Sequence, residues 1–173
     1  MSMLTDSDLY QLAARAGAAL HTAGRRLATA ESCTAGWIAK ALTDVPGSSQ
    51  WFECGYVTYS DAAKMRDLGV AAGTLGRFGA VSEETAREMA AGVLRIPKVS
   101  VALAVTGIAG PDGGTPDKPV GTVWLCAAAR HGRGTQTIAE LGHFPGDRAA
   151  VRRASVARAL ELLLRLDLRT ETA

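Results

Sequence analysis

Aromatic side chains are scarce in this sequence: Phe, Trp and Tyr together make up 5% of its 173 residues. That leaves little material for the stacking platforms that bind single-stranded nucleic acid. An excess of one charge is missing too. Nineteen Lys and Arg face 17 Asp and Glu, a formal charge of +2, so no basic stripe is on offer to a polynucleotide or an anionic bilayer. The cysteines, Cys33, Cys54 and Cys126, are odd in number and widely spaced, with no CxxC. They suggest neither a disulfide framework nor a zinc site, and a reducing cytoplasm is the simplest compartment. His21, His131 and His143 stand alone, without the spacing of metal ligands. No apolar run reaches the roughly 18 residues of a membrane span, and no charged start followed by an apolar segment marks a secretory signal. The expectations are a cytoplasmic protein with no nucleic-acid or membrane partner, no metal and no cofactor.

What is present is apolar bulk and clean periodicity. A hydrophobic content of 47% over this length suits one domain spanning residues 1–173, with 169–173 fraying. Thr5 and Asp8 form a capping pattern ahead of a helix over 5–23, whose face is Leu9, Leu12, Ala13, Ala16 and Leu20. A strand over 26–31 follows, then a helix starting near Thr34 with Ala35, Ile38, Ala39 and Leu42 on one side. Residues 51–59 read as a strand, Ser60-Asp61 as the start of a short helix, and 69–79 as an irregular glycine-rich stretch. Ser82 opens another helix with the stripe Ala86, Met89, Ala90 and Val93. The unbroken apolar run 99–105 reads as a strand buried on both faces. Strands over 120–128 and 135–144 are joined by a turn at 130–134. Asp147 caps a last helix, with Val156, Leu160, Leu163 and Leu164 inward and Glu161 placed to pair with Arg165. Helices alternating with strands, then a late hairpin, give an α/β domain with a mixed sheet covered by helices on both faces.

Four stretches can carry chemistry. Glu31-Ser32-Cys33-Thr34 lies where a strand gives way to a helix. Ser32 reads either as a turn residue or as a nucleophile, Cys33 competes with it, and Thr34 is placed to cap the helix, whose free N–H groups favour an oxyanion. In Tyr59-Ser60-Asp61-Ala62-Ala63-Lys64, the lysine sits about one turn into a helix. A desolvated lysine can act as base to a serine hydroxyl, though moving its pKa from about 10.4 to near 7 costs roughly 4–5 kcal/mol. Ser60, four residues before Lys64, is a rival nucleophile. Thr106-Gly107-Ile-Ala-Gly110-Pro-Asp-Gly113-Gly114 follows the buried strand and reads either as a structural turn or as a backbone cradle for an anion. It matches neither the phosphate loop of nucleotide hydrolases nor the dinucleotide fingerprint. In Phe144-Pro-Gly-Asp-Arg148, Arg148 opposes the dipole at a helix start, which suggests an anionic partner.

Taken in order, AESCTAG at 30–36, LTDVPGSS at 42–49, VTYSDAAK at 57–64, GAVSEETAREMA at 79–90, VTGIAGPDGGTPDKPVGTV at 105–123 and FPGDR at 144–148 resemble the C-terminal domain of the competence/damage-inducible CinA family. Stand-alone members of that family are nicotinamide-nucleotide amidases. The resemblance implies a three-layer α/β/α sandwich with a mixed, mostly parallel sheet, and a homodimer. It implies hydrolysis of the carboxamide of nicotinamide mononucleotide to nicotinate mononucleotide and ammonia, with no metal or cofactor and a small-molecule nucleotide as the substrate. By the family pattern Ser32 is the nucleophile and Tyr59 and Lys64 activate it. Glu31, Thr34, Thr106, Gly107, Gly110, Gly113, Gly114 and Arg148 are expected to bind substrate. A non-catalytic nucleotide-sensing domain and an amidase for another small amide are the alternatives. Two residues depart from the family's usual pattern: Ala35, where glycine is common, and Asp61, where asparagine is common and where a carboxylate bears on the charge of Lys64.

Overall fold

The computed structural model describes residues 4–132 and 134–169. Helix α1 (Asp6–Thr22) starts with the expected capping box: the Thr5 hydroxyl accepts from the Asp8 N–H and the Asp8 carboxylate accepts from the Thr5 N–H. The chain then runs β1 (Leu27–Glu31), α2 (Trp37–Thr43), β2 (Phe52–Val57), α3 (Asp61–Leu68), α4 (Ala72–Phe78), α5 (Glu83–Leu94), β3 (Val101–Gly107), β4 (Thr122–His131), β5 (Gly134–His143) and α6 (Arg148–Leu163).

The five strands form one mixed sheet in the order β2-β1-β3-β4-β5. β1 pairs in parallel with β2 and β3, while β4 is antiparallel to both β3 and β5. Four strands therefore point one way and β4 alone points back. β1 is enclosed along its whole length, as is β3 up to Thr106, which explains their lack of polar alternation. One apolar layer joins α1, α2 and α6 to one face through Leu20, Ile38, Leu103, Leu125 and Leu160. The other joins α3 and α5 to the opposite face through Leu68, Met89, Val93, Ala102 and Ala128. The three-layer α/β/α arrangement follows.

The crossover from β1 to β2 runs over the α2 face, and that from β2 to β3 over the α5 face. The carboxyl end of β1 is thus the switch point where a crevice opens in sheets of this kind. Ser32 follows β1, Tyr59 and Lys64 follow β2, the glycine loop follows β3 and Arg148 follows β5. All four chemistry-bearing stretches leave the sheet at that same end.

Two expectations need correction. Residues 69–79 are not wholly irregular, since α4 occupies Ala72–Phe78. Its start has no local cap. Glu88 of α5 supplies one from a distance, accepting from the Ala71 N–H at 2.7 Å and the Thr74 hydroxyl at 2.6 Å. The pair Glu161–Arg165 does not form either. Glu161 binds Arg158 at 2.8 Å, and Arg165 binds Glu140 of β5 at 2.6 Å, because that strand brings a carboxylate beneath α6. Of the tail expected to fray, 170–173 lie outside the described residues, and the Arg169 carbonyl accepts from Arg25 at 3.0 Å.

Helix α5 holds α3, and hence Lys64, by close backbone approach. A Cβ at Gly92 would meet the Leu68 carbonyl oxygen at 2.4 Å. Gly→Ala inside a helix ordinarily stabilises by about 1 kcal/mol. Gly92→Ala should instead destabilise by about 1–3 kcal/mol, because backbone must move to admit the methyl. Denaturant unfolding measures it, and a gain in stability would show that the two helices are not locked.

Candidate active site

The ladder that builds the sheet extends one residue past its strands. The Ser32 N–H donates to Val105 O and the Thr58 N–H to Glu31 O, each at 2.9 Å. Ser32 and Thr58 are therefore set side by side by register, not by loop packing. Ser60 then caps α3, accepting from the Ala63 N–H at 3.1 Å. The helix so started carries Lys64 back under the strand ends, where the residue is 1% exposed. Its Nζ lies 3.1 Å from Ser32 Oγ, 2.8 Å from Thr58 O and 3.3 Å from Tyr59 O. As an ammonium it donates to all three oxygens. As an amine it keeps two N–H groups for the two carbonyls and turns a lone pair to the Ser32 hydroxyl, which is the arrangement a base requires. Burial holds the Lys64 pKa below the ordinary lysine range, and the Asp61 carboxylate acts in the opposite sense.

The rival nucleophiles are placed less well. Cys33 is buried and its thiol is pushed up to about 12, chiefly by desolvation, so it is not a thiolate near neutrality. Ser60 has its hydroxyl on the α3 start.

Glu31 and Thr34 work inside the protein. Helix α2 starts at Gly36, which has no side chain to cap it, so the expected Thr34 cap is absent. Glu31, fully enclosed at the end of β1, replaces it. Its carboxylate accepts from the Ile38 and Ala39 N–H groups at 3.0 and 2.9 Å, the Thr34 hydroxyl at 2.7 Å and the Thr29 hydroxyl at 3.3 Å. A carboxylate at a helix start is electrostatically apt. It also occupies the donors that the sequence reading assigned to an oxyanion, so this helix start is not an open anion site. Both Glu31 carboxylate oxygens and the Thr34 hydroxyl are thus hydrogen-bonded within the protein.

The glycine loop is shaped by packing. Added Cβ atoms would meet Val123 Cγ2 at 2.6 Å from Gly107, Val120 Cγ1 at 2.5 Å from Gly110 and the Val120 N at 2.9 Å from Gly114. Gly110 and Gly113 also have φ of 80° and 89°, in the left-handed region. The buried Thr106 hydroxyl donates to Ala80 O at 2.8 Å and ties the loop to the start of α5. Arg148 closes the site from α6: Nη1 donates to Gly110 O at 2.7 Å and Nη2 to the Tyr59 phenol oxygen at 3.1 Å. The Tyr59 side chain is 62% exposed, and its bond is to Arg148 rather than to Ser32 or Lys64. Its carbonyl, not its phenol, touches the lysine.

Two residues at this end are not among the candidates singled out from the sequence. Arg152 donates to the Cys33 and Thr34 carbonyls, each at 3.0 Å, and Lys118 donates to Phe78 O and Val81 O at 2.9 and 2.8 Å. Both act across long sequence separations on backbone oxygens, which no periodicity encodes.

Comparison with known proteins fits this geometry. The CinA C-terminal domain family matches residues 9–166. The chain belongs to that family. It is 51% identical over 160 residues to the nicotinamide-nucleotide amidohydrolase PncC of Escherichia coli K12, covering 92% of this chain and 95% of that protein. It is 52% identical over 155 residues to the protein of the same name from Pseudomonas putida, covering 90% and 94%. Among solved structures, the competence/damage inducible protein CihA of Agrobacterium tumefaciens superposes with a TM-score of 0.88 at 43% identity, covering 95% and 98% of the two chains.

The two departures from the CinA pattern now have physical meaning. Ala35 has φ of 51° and Gly36 of 89°, two successive left-handed residues between Ser32 and α2. A glycine at 35 adopts this freely, whereas alanine costs about 1–2 kcal/mol. Asp61, in the first turn of α3, raises the proton affinity of Lys64. Asp61→Asn should therefore lower the Lys64 pKa further. An NMR titration of the lysine ε-methylene in both proteins measures the change, and an unchanged or raised value would show that Asp61 does not act on Lys64.

Proposed function

We propose that this protein is an amidase that hydrolyses the carboxamide of nicotinamide mononucleotide by a serine–lysine mechanism. The buried 3.1 Å contact between Lys64 Nζ and Ser32 Oγ carries the reading. The activity named for the PncC relatives at about half identity supports the reaction class.

Neutral Lys64 takes the Ser32 proton as Oγ attacks the amide carbon. The resulting ammonium returns that proton to the departing nitrogen, so ammonia leaves and an acyl-serine remains. Water, deprotonated by the same amine, then releases nicotinate mononucleotide and restores the hydroxyl. Burial disfavours the ammonium form of Lys64, and the Asp61 carboxylate restrains that shift. The Thr58 and Tyr59 carbonyls hold Nζ in place during both transfers. Arg148 is the anchor for the 5′-phosphate: it is exposed and cationic, and it is bound to two neutral oxygens that an anionic ligand outcompetes.

Ammonia release from nicotinamide mononucleotide is the first test. Ser32→Ala should abolish it, and Lys64→Arg should be nearly as damaging as Lys64→Ala, because arginine stays protonated. A Lys64→Arg enzyme within a few-fold of wild type would leave the lysine only an electrostatic role.

Arg148→Ala removes both the phosphate anchor and the Tyr59 contact. Its kcat/KM should fall more on the mononucleotide than on the riboside by roughly 10- to 150-fold, the worth of one charge-assisted contact. Equal losses on both substrates would place the phosphate elsewhere.

A further inference from the structure

The Ser32 turn is held from two sides. Glu31 grips it from within the sheet, and Arg152 grips it from α6. Arg152 lies one helical turn after Arg148, so one face of α6 reaches both the glycine loop and the nucleophile turn. Its Nε and Nη2 each lie 3.0 Å from a carbonyl, those of Cys33 and Thr34, the two residues directly after Ser32. Its guanidinium also sits 5.4 Å from the Trp37 ring centroid.

We propose that Arg152 is a positioning residue that holds Ser32 opposite Lys64 by fixing the left-handed turn after it. A peptide unit is planar and moves as one body, so holding two successive carbonyls fixes the planes on both sides of Thr34. Arginine suits this task because its fork presents parallel donors in one plane, which a lysine ammonium does not. The turn needs such a hold in this chain in particular. Ala35 takes a left-handed conformation that L side chains disfavour, and such a conformation persists only where its surroundings over-determine it. Arg152 and Ala35 are therefore coupled: with glycine at 35 the turn keeps its shape on its own, and less is asked of the arginine.

The inference rests on the reading of Ser32 as nucleophile, so its test includes a probe that bypasses the substrate. A small fluorophosphonate reacts with an activated serine: the Oγ–P bond forms, P–F breaks, fluoride leaves and the serine proton passes to Lys64. Arg152→Ala, Arg152→Lys, Ala35→Gly and the double variant Arg152→Ala/Ala35→Gly are compared with wild type. The readouts are kcat and KM on nicotinamide mononucleotide and the rate of Ser32 labelling.

Arg152→Ala should lower kcat and labelling together by about tenfold or more while KM moves less than about threefold. Arg152→Lys, which keeps the stem and one donor, should recover only part of the loss and serves where the alanine variant folds poorly. In the Ala35→Gly background the same Arg152→Ala change should cost at least about threefold less. Arg152→Ala within about twofold of wild type overturns the proposal. So does a loss carried by KM with labelling unchanged, which would put Arg152 on the substrate, or an equal loss in both backgrounds. A wild-type protein labelled at Ser32 but inert toward the mononucleotide overturns only the choice of substrate. One that is neither labelled nor active overturns the nucleophile reading and this inference with it.

Discussion

An amine taken out of water among oxygen atoms is the constraint on which the rest of this structure turns. Lys64 can be buried because the Thr58 and Tyr59 carbonyls and the Ser32 hydroxyl surround its nitrogen. Those oxygens stay in place because Ser32 and Thr58 are bonded into the sheet one residue beyond β1 and β2. The strands set the distance between nucleophile and amine, and α3, docked on α5 through the Gly92–Leu68 contact, sets the depth of the amine. The Ser32–Lys64 geometry is thus set by strand register and helix packing, which suits the proton transfer proposed for it.

A second buried polar group keeps the turn after Ser32 in order. Enclosed carboxylates are expensive unless satisfied, and Glu31 is satisfied by two backbone N–H groups and two hydroxyls. It replaces the missing cap of α2 and leaves the helix start closed to anions. The turn between them is left-handed at Ala35 and Gly36, and Arg152 completes its restraint from the far side. Neighbouring positions thus make different contacts: Glu31 and Arg152 bond the turn itself, and the Ser32 hydroxyl meets Lys64.

The site is electrostatically asymmetric. Glu31 is enclosed at the inner side of the site, and Asp61 lies in the first turn of α3. The opening, by contrast, carries Arg148 beside the phenol of Tyr59. An exposed guanidinium at this end suits the phosphate anchor proposed for Arg148. That role also accounts for a cation in the first turn of α6 against the helix dipole, where Asp147 caps the backbone at 2.8 Å and Arg148 is left to face outward.

Much of this was legible in the residue order alone. Capping signals at Thr5, Ser60, Ser82 and Asp147 marked four helix starts, and the unbroken apolar run at 99–105 marked a strand enclosed on both faces. The motifs around Ser32, Lys64, the glycine loop and Arg148 converge at one end of the sheet, because each follows a strand. These are local signals: a cap or a period acts within one or two turns of chain, so sequence spacing records it. Tertiary structure decided what depends on distant partners. It made a helix of Ala72–Phe78 by lending it Glu88, and it bonded the Glu31 carboxylate to Thr34 and to the start of α2. It drew the Tyr59 phenol to Arg148 and aimed Arg152 at carbonyls well over a hundred residues away. Hydrogen bonds to backbone oxygens carry no residue signature at the accepting end, so only folding could reveal which side chains hold the turn after Ser32.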